Sequence, residues 1–219
     1  MCDILCPKGG VSMKHEWRKH EKELYGAGKT PSFVSVPLQK FIMINGQGNP
    51  NDADFSNRVG ILYSLAYAVK TGYKANAAKE RLSDGIDDYT VYPLEGVWKQ
   101  KNDGALIKEE LEYTIMIRQP DFITEEMVNA AFERVKAKKP DPLIDEVRFS
   151  AMQDGGCIEI LHTGAYDDEP ASFERMNRFV MENGLARMEN CHREIYLNNA
   201  KQVEKDRLRT ILRYRVRVL

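Results

Sequence analysis

The same order of patterned segments occurs twice along the 219 residues, and this constrains the fold more than any other feature of the chain. Each half runs strand, glycine-containing acidic turn, capped amphipathic helix, strand and final strand. In the first half, Lys40-Phe41-Ile42-Met43-Ile44 leads through residues 46–52 to a helix capped by Asp52 or Asp54, with the apolar stripe Phe55, Val59, Leu62, Ala66 and Val69. In the second, residues 157–163 lead through 164–168 to a helix from Pro170 that buries Phe173, Met176 and Val180 and stops near Gly184. Residues 89–94 answer 194–197. Leu111, Tyr113, Ile115 and Ile117, alternating with polar neighbours, answer Leu212, Tyr214, Val216 and Val218. A period of half a chain is too long for a solenoid. The order implies an α+β fold: a pseudo-twofold pair of strand–helix–strand–strand units, helices packed on antiparallel sheets, with a ligand groove at the seam.

This reading divides the chain into repeat one (40–119), a connecting helix (120–142) and repeat two (143–219). The connecting helix starts at Thr124, turns Met127, Val128, Ala131 and Val135 inward, and stops at the Lys136-to-Pro142 run. Residues 13–39 read as an arm on the domain, with Trp17, Leu24 and Tyr25 set among charges. Pro37 separates two β-rich runs, 33–36 and 40–44. Gly72, Gly85 and many charges mark 71–88 as a loop or insertion, and Asp154-Gly155-Gly156 reads as a turn between strands 147–152 and 157–163. Residues 1–12 are expected to be a leader outside the fold. Lys8-Gly9-Gly10 is compatible with a purine-rich ribosome-binding sequence just ahead of Met13, which would make Met13 the bacterial start; a short tail is the alternative.

With 32 Lys+Arg against 33 Asp+Glu, the net charge of -1 supplies no global field for nucleic acid or anionic membrane. No helix-turn-helix pattern fits residues 14–40, so a DNA partner is not expected. The basic run Lys201, Lys205, Arg207, Arg209, Arg213, Arg215, Arg217 reads as a solvated helix followed by the outer face of a strand. No apolar segment approaches a membrane span, and four cysteines form no disulfide framework, so a cytoplasmic location is expected. Cys157–His162 and Cys191–His192 lack zinc-finger spacing, so no metal is expected. Without a glycine-rich phosphate loop, no cofactor is expected either, and no nucleophile elbow is present.

Two glutamates carry the candidate chemistry. Alternation in Arg193-Glu194-Ile195-Tyr196-Leu197 puts Glu194 and Tyr196 on one face; if Ile195 and Leu197 fill the core, Glu194 faces either solvent or the groove. Glu169 stands just before a helix, where acidic residues cap the end and complement its dipole. The functional reading pairs Glu169 with Glu194 across one groove. Two carboxylates held close raise one another's pKa, which suits general acid–base work on water; walled by rings, they suit a bound cation. Tyr89, Tyr92, Trp98, Tyr113, Tyr166 and Tyr196 fall on predicted strands or groove-side turns, and Tyr (10) outnumbers Phe (8). Core packing accounts for some of these rings, but a core without hydroxyl partners prefers Phe, and a ring-lined pocket for planar molecules is the sharper reading.

The stretches 192–197, 208–213, 160–169 and 92–98, in that arrangement, resemble the GyrI-like (gyrase-inhibitor-like) small-molecule-binding family; residues 13–25 and 40–52 are similar to its stand-alone branch. The resemblance implies a groove between two strand–helix–strand–strand units. It also implies binding of planar aromatic or cationic xenobiotics and, in the stand-alone branch, hydrolysis of cyclopropanoid genotoxins; the alternative is a non-catalytic module that senses or sequesters drugs. The family's groove glutamates map onto Glu194 and Glu169 as catalytic residues, with Trp98 and Tyr166 as ring walls. Tyr92, Tyr113 and Tyr196 complete the expected ligand-binding set. The chain departs from the family at Ala165, where Pro is common, and at Lys99, where a second aromatic is common.

Overall fold

The computed structural model describes residues 13–78, 85–100 and 107–219. In chain order it contains β1 (Met13–His15), α1 (Trp17–His20), α2 (Lys22–Tyr25), β2 (Ser32–Gln47), α3 (Ala53–Ala77), β3 (Ile86–Tyr89), β4 (Leu94–Lys99) and β5 (Glu112–Gln119). There follow α4 (Glu125–Lys138), α5 (Leu143–Glu146), β6 (Arg148–Thr163), α6 (Glu169–Glu182), β7 (Leu185–Arg187), β8 (Cys191–Tyr196) and β9 (Arg209–Val218). The leader at 1–12 lies outside the described residues.

The main sheet runs β6-β2-β5-β4-β8-β9-β7, and β6 pairs again with β9, so six antiparallel strands close on themselves. The two units are visible in the pairing. β2 meets β6 and β4 meets β8 across the seam, while β5 joins β2 to β4 as β9 joins β6 to β8. Register then sorts side chains by face. Ile42, Ile44 and Gly46 lie opposite Ile117, Ile115 and Tyr113, which lie opposite Leu94, Gly96 and Trp98. Gly96 and Trp98 in turn oppose Glu194 and His192, and Glu194 opposes Leu212. Helix α3 covers the first part of this face through Leu62, Leu65, Ala66 and Val69; α6 covers the second through Met176 and Val180, which pack on Ile158, Ile160, Leu212 and Tyr214. Full burial of such side chains stabilises by about 1.5–3 kcal/mol each. The strip left between the helices is floored by β4 and β8.

Several local expectations are corrected. Pro37 and Asp154-Gly155-Gly156 do not end strands: β2 and β6 each run 16 residues. Pro37 is tolerated because β5 pairs only from Lys40 onward, leaving that side of β2 without a ladder. In β6, Gly155 has a φ of 69° that suits glycine and stays paired with Val36 of β2, two residues before β9 joins the strand at Cys157. Helix α3 continues to Ala77, through residues expected to be loop. Gly72 serves close packing there: a Cβ would lie 2.3 Å from Arg134 of α4. One turn of spacing beyond Val69, buried Tyr73 donates from its hydroxyl to the Ile86 carbonyl at 2.7 Å. Residues 79–84 of the expected loop lie outside the described residues. Arg213 of the basic run is buried against Glu159 instead of solvated, and only a short 3-10 turn, Lys205–Arg207, precedes its strand. Among the described residues, no helix is long and apolar enough to cross a membrane.

Candidate functional site

The β alternation of β8 places His192, Glu194 and Tyr196 on the helix-covered face, while Ile195 and Arg193 point to the other. Opposite Glu194 stands Gly96, and its missing side chain admits a neighbour: a Cβ there would lie 2.7 Å from Trp98 Nε1. Folded over Gly96, the Trp98 indole N–H donates to the Tyr196 oxygen at 2.9 Å. The Tyr196 hydroxyl donates to Glu194 Oε2 at 2.7 Å, and His192 Nε2 lies 2.8 Å from Glu194 Oε1. Both oxygens of Glu194 are therefore held, and the carboxylate has one orientation. Gly46 gives Tyr113 the same kind of seat, with Phe55 packed on both rings at 5.1 Å from Tyr113 and 5.7 Å from Trp98.

Glu169 reaches this place from the other side as the first residue of α6, followed by Pro170, which suits a first helical turn. It does not behave as a cap. The residue is 6% exposed, and its Oε1 has no hydrogen-bond partner. Burial first, then the negative charge of Glu194 and then that of Asp167, push its carboxyl well above the ordinary carboxylate range. A carboxyl oxygen of Glu169, one of Glu194 and a ring nitrogen of His192 all lie within 4.8 Å of one another. Tyr166, 40% exposed, stands at the rim with its ring edge-on to Tyr196 at 5.9 Å. A cavity of about 210 Å³, open to solvent, begins beside the cluster and is lined by Trp98, Leu111, Phe173, Arg187 and His192 among others.

Of the expected site residues, the fold gathers Glu169, Glu194, Trp98, Tyr113, Tyr166 and Tyr196. Tyr92 is set apart, which corrects its inclusion in the ring wall. β4 begins only at Leu94, so the alternation assumed for residues 89–94 does not reach it. Tyr92 is 1% exposed beneath the arm, packed with Trp17 and Tyr25, under the Arg118 guanidinium, and hydrogen-bonded to Glu21 and His15. Two members were not among the expected site residues. His192 shares the face of Glu194 by simple i, i+2 spacing. Phe173 stacks edge-on against it at 4.7 Å, but was assigned wholly to the core stripe of α6. Chemically, the cluster offers one carboxyl biased toward its neutral acid and one carboxylate fixed by two neighbours, a pairing suited to moving a proton to and from water. It also offers negative charge walled by rings, the setting in which cations bind.

Comparison with known proteins agrees with this architecture. Residues 29–217 match the GyrI-like small molecule binding domain, and the chain belongs to that family. It is similar to the crystal structure of an uncharacterised conserved protein from Listeria innocua, at 31% identity and a TM-score of 0.83, covering 93% of this chain and 100% of that one. A second structure from Listeria innocua, described as a hydrolase, is similar at 30% identity and a TM-score of 0.82, covering 94% of this chain and 100% of that one. The C-terminal domain of EcmrR shares the fold alone, at 11% identity and a TM-score of 0.52, covering 87% of this chain and 98% of that one. No curated protein matches the chain.

Proposed function

We propose that this GyrI-like protein binds planar aromatic or cationic xenobiotics in the groove and hydrolyses cyclopropanoid genotoxins there. One observation carries the reading: Glu169 has a buried carboxyl with an unpartnered oxygen and brings a carboxyl oxygen within 4.8 Å of Glu194, whose own oxygens are fixed by His192 and Tyr196. Glu194 takes a proton from a water molecule, and the water oxygen bonds to the cyclopropyl CH₂ carbon. The strained C–C bond breaks, and its electron pair passes into the conjugated ring system of the genotoxin, whose oxygen is protonated by solvent. Glu169, as a neutral acid, holds the water by donating a hydrogen bond to it. Trp98 and Tyr166 stack on the planar body; a polycyclic ligand fills the cavity and projects past Tyr166 into solvent. The hydrolase description of a 30%-identical neighbour supports turnover in this groove. Free thiols at Cys157 and Cys191 accord with a reducing cytoplasm.

The same carboxylates and rings also suit sequestration of a cationic drug without chemistry. Substoichiometric protein incubated with a spiro-cyclopropyl alkylating compound separates the readings. Several ring-opened products per protein molecule, lost in Glu194→Gln and in Glu169→Gln, establish hydrolysis. One ligand bound per chain with no product establishes sequestration instead.

A further inference from the structure

The groove holds two buried glutamates that are not paired with its cations, Lys99 and Arg187. Among the described residues no lysine or arginine pairs with Glu169 or Glu194; the other two buried glutamates, Glu95 and Glu159, are each bonded to an arginine. His192 bonds to Glu194 in the place of a lysine or arginine. Glu169, 6% exposed, brings its carboxyl into this same cluster and has an oxygen without a partner. We infer that Glu169, His192 and Glu194 form a binding site for a single divalent transition-metal ion of the zinc type, with an open coordination position facing the groove. The inference stands apart from the proposed hydrolysis and assigns the metal no step in it.

The donor set fits that class of ion. Two carboxylates neutralise a dication, and one imidazole favours zinc and its transition-metal neighbours over magnesium or calcium, which take oxygen ligands. The spacing is close to what is needed. With metal–ligand bonds of about 2.0–2.2 Å, ligand atoms around a tetrahedral ion sit about 3.4 Å apart. The three candidate atoms lie within 4.8 Å, and His192 Nε2 and Glu194 Oε1 are already at 2.8 Å. Rotation of the Glu169 side chain closes the set. On binding the ion Glu169 gives up its acid proton to solvent, and His192 binds through the Nε2 lone pair as the neutral imidazole with its one proton on Nδ1. The supporting contacts are present: Tyr196 fixes the other oxygen of Glu194, and Trp98 fixes Tyr196.

The test is titration of the full-length, chelator-treated protein with Zn²⁺ by calorimetry and with Co²⁺ by visible absorption. One equivalent of each should bind, with the intense d–d bands of a low-coordinate cobalt site, and excess Mg²⁺ should not compete. Glu169→Gln and His192→Phe should abolish the cobalt bands while keeping a cooperative unfolding transition. Tyr196→Phe should weaken binding by about 10-fold, and Cys191→Ser should leave it unchanged. Absence of binding at micromolar metal overturns the inference, as does binding that survives the glutamate and histidine changes or is lost in Cys191→Ser. Turnover of a cyclopropanoid by protein that binds no metal removes this inference alone. Metal binding without turnover or ligand binding removes the proposed function alone.

Discussion

Arg193 and Glu194 are neighbours in the chain and point to opposite faces of one sheet, where two different uses of buried charge are found. On the face away from α3 and α6, every buried carboxylate is answered. Arg193 donates to Glu95 at 2.7 Å and to Asp154 at 2.6 Å, Arg213 to Glu159 at 2.6 Å, and Arg118 pairs with Glu21 of the arm. The arm is tied into the same network: Tyr25 donates to Glu95 at 3.2 Å, and Arg213 also reaches the Leu24 carbonyl at 2.7 Å. On the groove face Glu194 is bonded to a hydroxyl and an imidazole, Glu169 keeps an oxygen without a partner, and among the described residues neither is paired with a lysine or arginine. Matched charges fix the arm and the strand crossing in one arrangement. Unmatched ones stand ready to meet a ligand's charge, at a cost to the folded state that the rest of the molecule carries.

The largest effect should come from unmatching the answered side. Arg193→Met strands Glu95 and Asp154, and removal of one partner from a buried pair costs about 3–5 kcal/mol. Urea denaturation should show that loss while the protein still folded binds ligand with unchanged affinity; a loss below about 1 kcal/mol would break the contrast. Next in size is the seat of Trp98. In Gly96→Ala the new Cβ would lie 2.7 Å from the indole nitrogen, so the ring must shift. Overpacking of this kind costs about 1–3 kcal/mol, and the displaced Trp98 N–H should appear as altered indole fluorescence and weaker binding of a planar ligand. A smaller and more discriminating comparison is Tyr92→Phe against Tyr196→Phe. Loss of the hydroxyl from Tyr92 should lower stability by about 1 kcal/mol and leave ligand affinity alone, because that ring belongs to the arm. Loss from Tyr196 frees one oxygen of Glu194 and should show chiefly in binding and turnover.

Much of this was legible in the residues. The repeat order gave the paired units, and the alternation of β8 correctly set Glu194 and Tyr196 opposite Ile195. What escaped shares one cause: local pattern does not report which neighbour a segment acquires. Pro37 and Asp154-Gly155-Gly156 look like strand breakers, yet they face each other in the stretch where β2 and β6 pair with one another alone, before β5 joins one and β9 the other, and only the closed sheet reveals that. Gly72 looks like a helix end until Arg134 packs across it. Arg213 looks solvated until Glu159, 54 positions earlier, is brought against it. In the site, Glu169 has the position of a helix cap by sequence, and its unpartnered oxygen exists only in three dimensions. Tyr92 shows the converse, a ring of the right type near the right strand but under the arm.

The contrast rests most directly on Glu169. Burial and the charge of Glu194 raise its carboxyl above the ordinary glutamate value of 4.5, so above that pH the native chain holds a proton that the unfolded chain has lost. Stability therefore falls with rising pH across this window, by at most about 1.4 kcal/mol per pH unit for one group. Glu169→Gln has no proton to hold and escapes that loss. Unfolding free energies of the chelator-treated wild type and Glu169→Gln, measured side by side from pH 5 to pH 8, decide the matter. The variant should be the more stable of the two, with an advantage that widens as pH rises. A variant less stable than wild type, or an advantage that does not change with pH, would contradict the claim that Glu169 is kept buried and unmatched for a ligand.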